Sequence, residues 1–336
     1  MKIALVTPAG ARSRSGNRHT AVRWAAMLRA LGHKVAVSTR WDGQAADLML
    51  ALHARRSHAS IVRFRERCPN SPIVVVLTGT DLYRDIRTDR DAKASLELAD
   101  RLVVLQELGK LELPRRFRRK TRVIYQSAQV QAPLEPPARR FRVAVIGHLR
   151  EEKDPFRAAL ALAHLGDLRH LEVIHLGEAL SPNMAREARR LMRSDPRYRW
   201  LGNVPHWAAL RWLSRSHVLV VSSRMEGGAN VICEAAAAGV PVIASRVSGN
   251  IGMLGRGYPG YYPLADERSL ARQIRRAARD PGHYVRLKRL VAARRALFRP
   301  TAEQEGLRSL LAGLKPHALR QRPRSRTSRT GAKLRR

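Results

Sequence analysis

The sequence predicts an α/β protein made of two Rossmann-like domains, each a doubly wound parallel sheet, facing a cleft. Three observations lead there. Short Val/Ile/Leu runs alternate with helical stretches along the chain, the pattern of doubly wound sheets. The runs are continuous in hydrophobicity, which suits strands covered on both faces. The segment QAPLEPPARR, residues 131–140, interrupts any regular element with its prolines. Beyond it FRVAVIGHLR restarts the strand-to-loop pattern that opened the chain at MKIALVTPAG. With 336 residues, 44% of them hydrophobic, the chain fills two cores of ordinary size.

In chain order, strands are predicted at KIALVT, KVAVST, PIVVVLT, RLVVLQ and RVIYQ, then at FRVAVIG, LEVIHLG, HVLVVSS and VPVIAS. A helix over 19–31 places Val22, Ala25, Ala26, Leu28 and Leu31 at helical spacing and stops at Gly32. Further helices are expected over 154–165, 183–193, 207–214 and 267–279. The first of these opens at Pro155, whose fixed φ suits a first helical position. ANVICEAAAAG reads as a helix closed by Gly239, and 284–314 as helical. The expected domains are therefore 1–135 and 136–315. A basic tail follows over 316–336, rich in Arg, Ser and Pro, and its composition predicts disorder.

Lys and Arg total 64 against 27 Asp and Glu, a formal net charge of +37. Such an excess invites a nucleic-acid or membrane-surface reading. Aromatics make up only 5%, and no basic strand carries the interleaved aromatics that stack bases. The charge reads instead as an Arg-rich composition with some anion sites, and no nucleic-acid partner is expected. No uninterrupted apolar run reaches the ~18 residues of a membrane span, so stable membrane insertion is not expected. MKIALVTPAG turns polar at once and reads as a first strand, not a signal peptide. The two cysteines, Cys68 and Cys233, are too few for a disulfide framework or a four-ligand zinc site. A cytoplasmic enzyme fits best.

The sharpest signal is RMEGGANVICEAAAAGVPVIAS, residues 224–245, which sets Glu226 and Glu234 eight residues apart. HVLVVSS is a strand, RMEGG a loop and ANVICEAAAAG a helix. Gly227 and Gly228 let the backbone approach a ligand closely. The free N–H groups near Ala229 and Asn230 would face an anion at the positive end of the helix. Glu226 precedes the helix, and Glu234 lies about one turn inside it, where a carboxylate accepts hydrogen bonds from a diol. A helix with an N-terminal acid and an edge glutamate explains either carboxylate alone, but not the pair with the glycines. The loop GHLREEKDP, 147–155, supplies Arg150 and Lys153, as cations for a diphosphate or as a solvated charge cluster. In the first half, TPAGARSRSGNRHT carries Gly10 and Gly16 but no G-x-G-x-x-G, so a nicotinamide site is unsupported. A phosphate loop and an ordinary glycine turn remain equal readings of that segment. Two carboxylates, a nest of donors and nearby cations suit a sugar attached to a nucleoside diphosphate.

EGGANVICEAAAAGVPVIAS resembles the E-x7-E segment of the family-4 retaining glycosyltransferases, whose fold is GT-B. The likeness extends through SGN, LTGTDL, ADRLVVLQE, GHLREEK and LGNVPHWAALRWLSRSHVLVVSS, leaving out only the tail after about residue 315. SGNRHTA, LALHARRS, LTGTDLYRDI, RVIYQSA, HLREEKDPFRAA and SGNIGMLGRGYPGYYPLAD are similar to the selenosugar synthase branch of selenoneine biosynthesis. That branch joins selenophosphate to a sugar from a UDP-sugar, chiefly UDP-N-acetylglucosamine.

The resemblance implies a hexosyltransferase with an acceptor domain first and a donor domain second. Glu234 would bind the ribose hydroxyls, and Glu226 the donor-sugar hydroxyls beside the reacting carbon. Amides near Gly227, Gly228, Ala229 and Asn230 would steady sugar and phosphate, Lys153 the diphosphate, and Gly16 and Asn17 would line the donor site. His148 stands where the family pattern has arginine, so Arg150 would supply the cation. Thr78 stands where a histidine often precedes glycine, and SGNIGML lacks the usual acidic residue. No metal or cofactor is implied beyond the UDP-sugar as co-substrate. Cations opposite the departing diphosphate would stabilise its charge, and a selenophosphate acceptor, already anionic, needs no strong general base.

An anionic acceptor calls for cations on the first domain. LHARRS offers His53, Arg55 and Arg56, and LTGTDLYRD offers Thr78, Gly79, Thr80, Asp81 and Arg84. His53 reads equally as a core-edge histidine, and Arg55 and Arg56 as a solvated helix start. Trp24, Trp200, Trp207 and Trp212 read as packing residues. Two rivals remain at this level: a transferase with a lipid or sugar acceptor at a membrane surface, and a nucleic-acid-binding protein on a transferase-like scaffold.

Overall fold

The computed structural model describes residues 1–11, 13, 16–129 and 134–314; the expected basic tail and the middle of the proline segment lie outside them. The first six strands are β1 (Lys2–Val6), β2 (Lys34–Ser38), β3 (Leu48–Leu52), β4 (Ile73–Leu77), β5 (Arg101–Val104) and β6 (Thr121–Val123). They form one sheet in the order β2-β1-β3-β4-β5-β6. The next six are β7 (Phe141–Ile146), β8 (Leu171–Leu176), β9 (Tyr198–Trp200), β10 (Val218–Val221), β11 (Val242–Ser245) and β12 (Tyr261–Tyr262). They form a second sheet in the order β12-β11-β10-β7-β8-β9. Every pairing is parallel, with Ile3 opposite Leu48 in one sheet and Val218 opposite Val143 in the other. The two-domain α/β architecture expected from the alternating pattern is present. All nine predicted strands form.

Three strands escape the sequence reading. β3 is LMLAL, fully buried but without a β-branched residue, so its composition favours a helix as much as a strand. β9 and β12 are three and two residues long, too short to show a period. Helix boundaries also move. The first helix begins earlier, at Gly16–Ala30. The expected helix over 154–165 shrinks to Arg157–Ala161, with a tighter turn over Leu162–His164. Pro155 precedes that helix because Asp154 has a left-handed φ of 44° that bends the chain first. The stretch 284–314 is divided by Pro300 into Pro281–Arg294 and Pro300–Ala312.

Ile3, Leu5 and Leu50 point to one face of the first sheet, where Trp24 and Leu28 pack with Leu307, Leu310 and Leu311. The last helix, Pro300–Ala312, therefore leaves the second half and closes the core of the first. Glu303, 1% exposed, holds it there. Its carboxylate accepts from Trp24 Nε1 (2.6 Å), Arg23 Nε (2.8 Å), and the amide and hydroxyl of Ser127 (2.9 and 2.5 Å).

Strand order places the site. In the first sheet the order reverses between β1 and β3, and in the second between β7 and β10. Ligands of doubly wound sheets bind beyond the strand C-termini at such reversals. The segments that follow those four strands lead to Gly16, His53, Lys153 and Glu226.

Candidate active site

Glu226 is 6% exposed, yet it lies in a loop. Its Oε1 accepts from Lys153 Nζ at 2.5 Å and from Ser223 Oγ at 2.5 Å. Lys153 is aimed by the turn behind it. Ser222 Oγ donates to the carbonyls of Lys153 (3.0 Å) and Asp154 (2.8 Å), fixing the left-handed Asp154. Burying a carboxylate is costly unless it is paired and hydrogen-bonded, and Glu226 has both an amine and a hydroxyl against it. Arg150, the other predicted cation, is exposed and lies outside this pair. His148 accepts from the Glu178 amide through Nδ1 at 3.2 Å and so faces the β8 loop.

Asn230–Ala238 forms the predicted helix, and Gly239 ends it with a φ of 72°. Glu234 sits one turn inside, its side chain 13% exposed, with Oε1 2.9 Å from His206 Nε2. Asn230 leans across to the first half, its Nδ2 3.5 Å from where a Cβ on Gly16 would lie. Gly16 opens the first long helix, and its carbonyl accepts from Thr20 Oγ1 at 2.9 Å. The Asn17 carbonyl lies 3.5 Å from Thr7 Oγ1. The N-termini of the Gly16–Ala30 and Asn230–Ala238 helices therefore converge, and the first N–H groups of a helix have no acceptor within it.

The two glycines after Glu226 have a use that sequence did not reveal. A Cβ on Gly227 would strike the Thr78 carbonyl and come within 2.7 Å of the Gly79 nitrogen. On Gly228 it would lie 2.5 Å from the Leu105 Cβ. The glycine pair thus allows the two halves to meet backbone to backbone beside Glu226. Gly252 packs against the Gln106 side chain, and Gly249 approaches the Glu226 main chain. Ser248 Oγ donates to Glu112 Oε1 at 2.9 Å, and Tyr125 Oη to the Gly252 carbonyl at 3.2 Å, both across the junction.

The acceptor candidates divide. Asp81 is fully buried and occupied with main chain: Oδ1 accepts from Thr78 N (3.0 Å) and Gly79 N (2.9 Å), Oδ2 from Ala54 N (3.0 Å). It shapes the Thr78–Gly79 turn against Gly227 and does not face the cleft. Arg55 Nε (2.9 Å) and Arg84 Nε (3.2 Å) both donate to Asp85, a buried partner absent from the sequence reading. Arg84 also lies 3.9 Å from Glu152 of the second half, while Arg56 is exposed.

His53 is 3% exposed, with φ of 74°. Its Nδ1 accepts from the Arg56 amide (3.4 Å), and its Nε2 lies 3.1 Å from Thr80 Oγ1. Burial lowers its pKa, outweighing Asp81 and Asp85 at 4.0 and 3.9 Å. A neutral ring that accepts at Nδ1 carries its proton on Nε2 and donates to Thr80. The Thr80 hydroxyl proton is then directed elsewhere.

Sequence reasoning missed Ser223, Asp85, Gln106 and His206. Ser223 lies two residues beyond β10 and His206 follows a proline, and neither pattern marks chemistry. Trp207, expected in packing, is 67% exposed beside His206, whereas Trp24 is fully buried as expected.

Residues 140–280 match the family model of the group 1 glycosyl transferases, a span that includes the Lys153 and Glu226 loops and the Glu234 helix. No curated protein matches the chain significantly. Among solved structures, sucrose-phosphate synthase from Thermosynechococcus elongatus superposes with a TM-score of 0.77 at 19% identity, covering 93% of this chain and 98% of that one. HepE from Anabaena, solved with UDP and glucose, gives 0.73 at 16% identity, covering 94% and 100%. A glycosyltransferase from Rickettsia africae gives 0.73 at 14%, covering 93% and 99%. The chain has the GT-B fold. In GT-B terms, the two sheets are the two lobes, and the Gly227–Thr78 approach lies at the seam between them.

Proposed function

We propose that the protein is a retaining-type glycosyltransferase that moves a sugar from a UDP-sugar, UDP-N-acetylglucosamine being the first choice, to a small anionic acceptor, selenophosphate. The bond from the anomeric carbon to the diphosphate breaks and UDP leaves, while the acceptor's selenium bonds to that carbon, giving a selenosugar that keeps the acceptor's phosphoryl group on selenium. The observation that carries the reading is the Lys153–Glu226 pair at 2.5 Å, at the seam between lobes and beside two converging helix N-termini. Lys153 and those N–H groups offset the charge that grows on the diphosphate. Glu226 receives sugar hydroxyls beside the reacting carbon, and Glu234 the ribose. The family match over the donor lobe supports the donor class, and HepE was solved with UDP and glucose. The acceptor assignment rests on the resemblance in LALHARRS, LTGTDLYRDI and SGNIGML, and on Arg55, Arg56 and Arg84 beside the junction.

The test is product analysis by mass spectrometry, offering selenophosphate, thiophosphate and phosphate with several UDP-sugars. A selenium-linked sugar with UDP release is the expected result. Turnover only with sugar or lipid acceptors would remove the acceptor assignment and keep the transferase.

A further inference from the structure

Both carboxylates at the cleft carry a basic partner, and the partners differ in kind. Glu226 is matched with the amine of Lys153. Glu234 is matched with His206, which titrates within the physiological range. His206 opens the His206–Ser214 helix, and its half-exposed ring covers the inner, 13%-exposed Glu234 from the solvent side. From the opposite lobe His19 brings its ring centroid to 5.3 Å, and Arg23 of the same helix adds opposing positive charge. The bond to Glu234 raises the His206 pKa against both burial and Arg23. The contact engages Oε1; among the described residues Oε2 accepts no hydrogen bond.

We infer that His206 is a positioning residue for the nucleotide: it holds Glu234 by one oxygen, presents the other to the ribose diol, and makes nucleotide binding weaken as pH rises. This rests on the UDP-sugar reading above. A carboxylate has lone pairs enough for a diol on its second oxygen once the first is fixed. An unbalanced carboxylate in the same cleft repels the incoming diphosphate. Below the raised pKa, the imidazolium cancels that charge. As pH climbs through it, the neutral ring retains at most a weaker hydrogen bond. The change is confined to the Glu234–His206 contact, so nucleotide binding responds and the Lys153–Glu226 contact is left as it is.

The experiment is calorimetric titration of UDP into the full-length wild type, His206→Ala and His206→Gln, with steady-state kinetics on the same proteins. His206→Ala is expected to bind UDP about five- to tenfold more weakly and to raise the donor KM with kcat unchanged. His206→Gln, whose amide replaces the donor, stays within about twofold at pH 8. Between about pH 6 and 8.5 the wild type loses about threefold more affinity than His206→Gln. UDP's own terminal phosphate titrates there too, but equally for both proteins, so the difference isolates the ring. UDP binding by His206→Ala at wild-type strength, or parallel pH profiles for wild type and His206→Gln, would overturn the inference alone. A wild type that does not bind UDP would instead sink the donor reading, and this inference with it.

Discussion

At the scale of single residues, the site depends on a carboxylate that the fold buries and a lysine that makes the burial tolerable. Glu226→Gln keeps the shape and removes the charge facing Lys153. UDP release is expected to fall by about 10²–10³-fold, the loss typical of one preorganised electrostatic partner. Lys153→Ala is expected to lower kcat and raise the donor KM, and an effect confined to the acceptor would contradict the diphosphate role proposed for it. Thr80 gives a separate prediction. With His53 donating to its oxygen, its own proton is directed to another acceptor. Thr80→Val should raise the acceptor KM about tenfold and leave the donor KM alone, since one hydrogen bond to a charged group is lost. Equal changes in both constants would place Thr80 in the general packing. Residues of this kind were legible where chemistry dictates type, as with Glu226, Glu234 and Lys153. His206 and Asp85 were not, because each acts through a partner distant in sequence; Ser223, three residues from Glu226, was not, because a serine after an apolar run marks no chemistry by itself.

Elements carry the next level. Gly227 lets the loop after β10 touch the turn after β4, and its lack of a Cβ is what that contact requires. Gly227→Ala meets the Thr78 main chain, which has no flexible end to move aside. The expected outcome is a loss of at least about tenfold in kcat/KM with a thermal midpoint close to wild type, because the added methyl holds the lobes apart without disturbing either core. A lowered midpoint with unchanged kcat/KM would show that the contact serves stability instead. The Pro300–Ala312 helix invites the opposite result. Glu303→Ala leaves Arg23, Trp24 and Ser127 without their acceptor and should cost about 3–5 kcal/mol, the scale for breaking a buried charged pair. Urea unfolding measures it directly, and a loss below about 1 kcal/mol would mean that water replaces the carboxylate. At this scale the sequence was clear wherever β-branched runs made strands, and opaque at Leu48–Leu52, whose residues favour neither state.

Across the whole molecule, the two sheets and their chain order were readable, because continuous apolar runs separated by helices allow few other arrangements. The seam was not. It joins Gly227 to Thr78, Gly252 to Gln106 and Asn230 to Gly16, and no local pattern announces which loops of two separate sheets will meet. The cations named above take the place of a metal in the proposed transfer. Turnover should therefore survive excess EDTA followed by desalting, and a loss restored by magnesium or manganese would overturn that assignment. No helix among the described residues is long and apolar enough to cross a membrane. The backbone contact between Gly227 and Thr78 has one more consequence. In the proposed transfer a bulky donor that enters beside Glu226 has to part those two main chains first, and the pace at which the lobes separate then caps turnover.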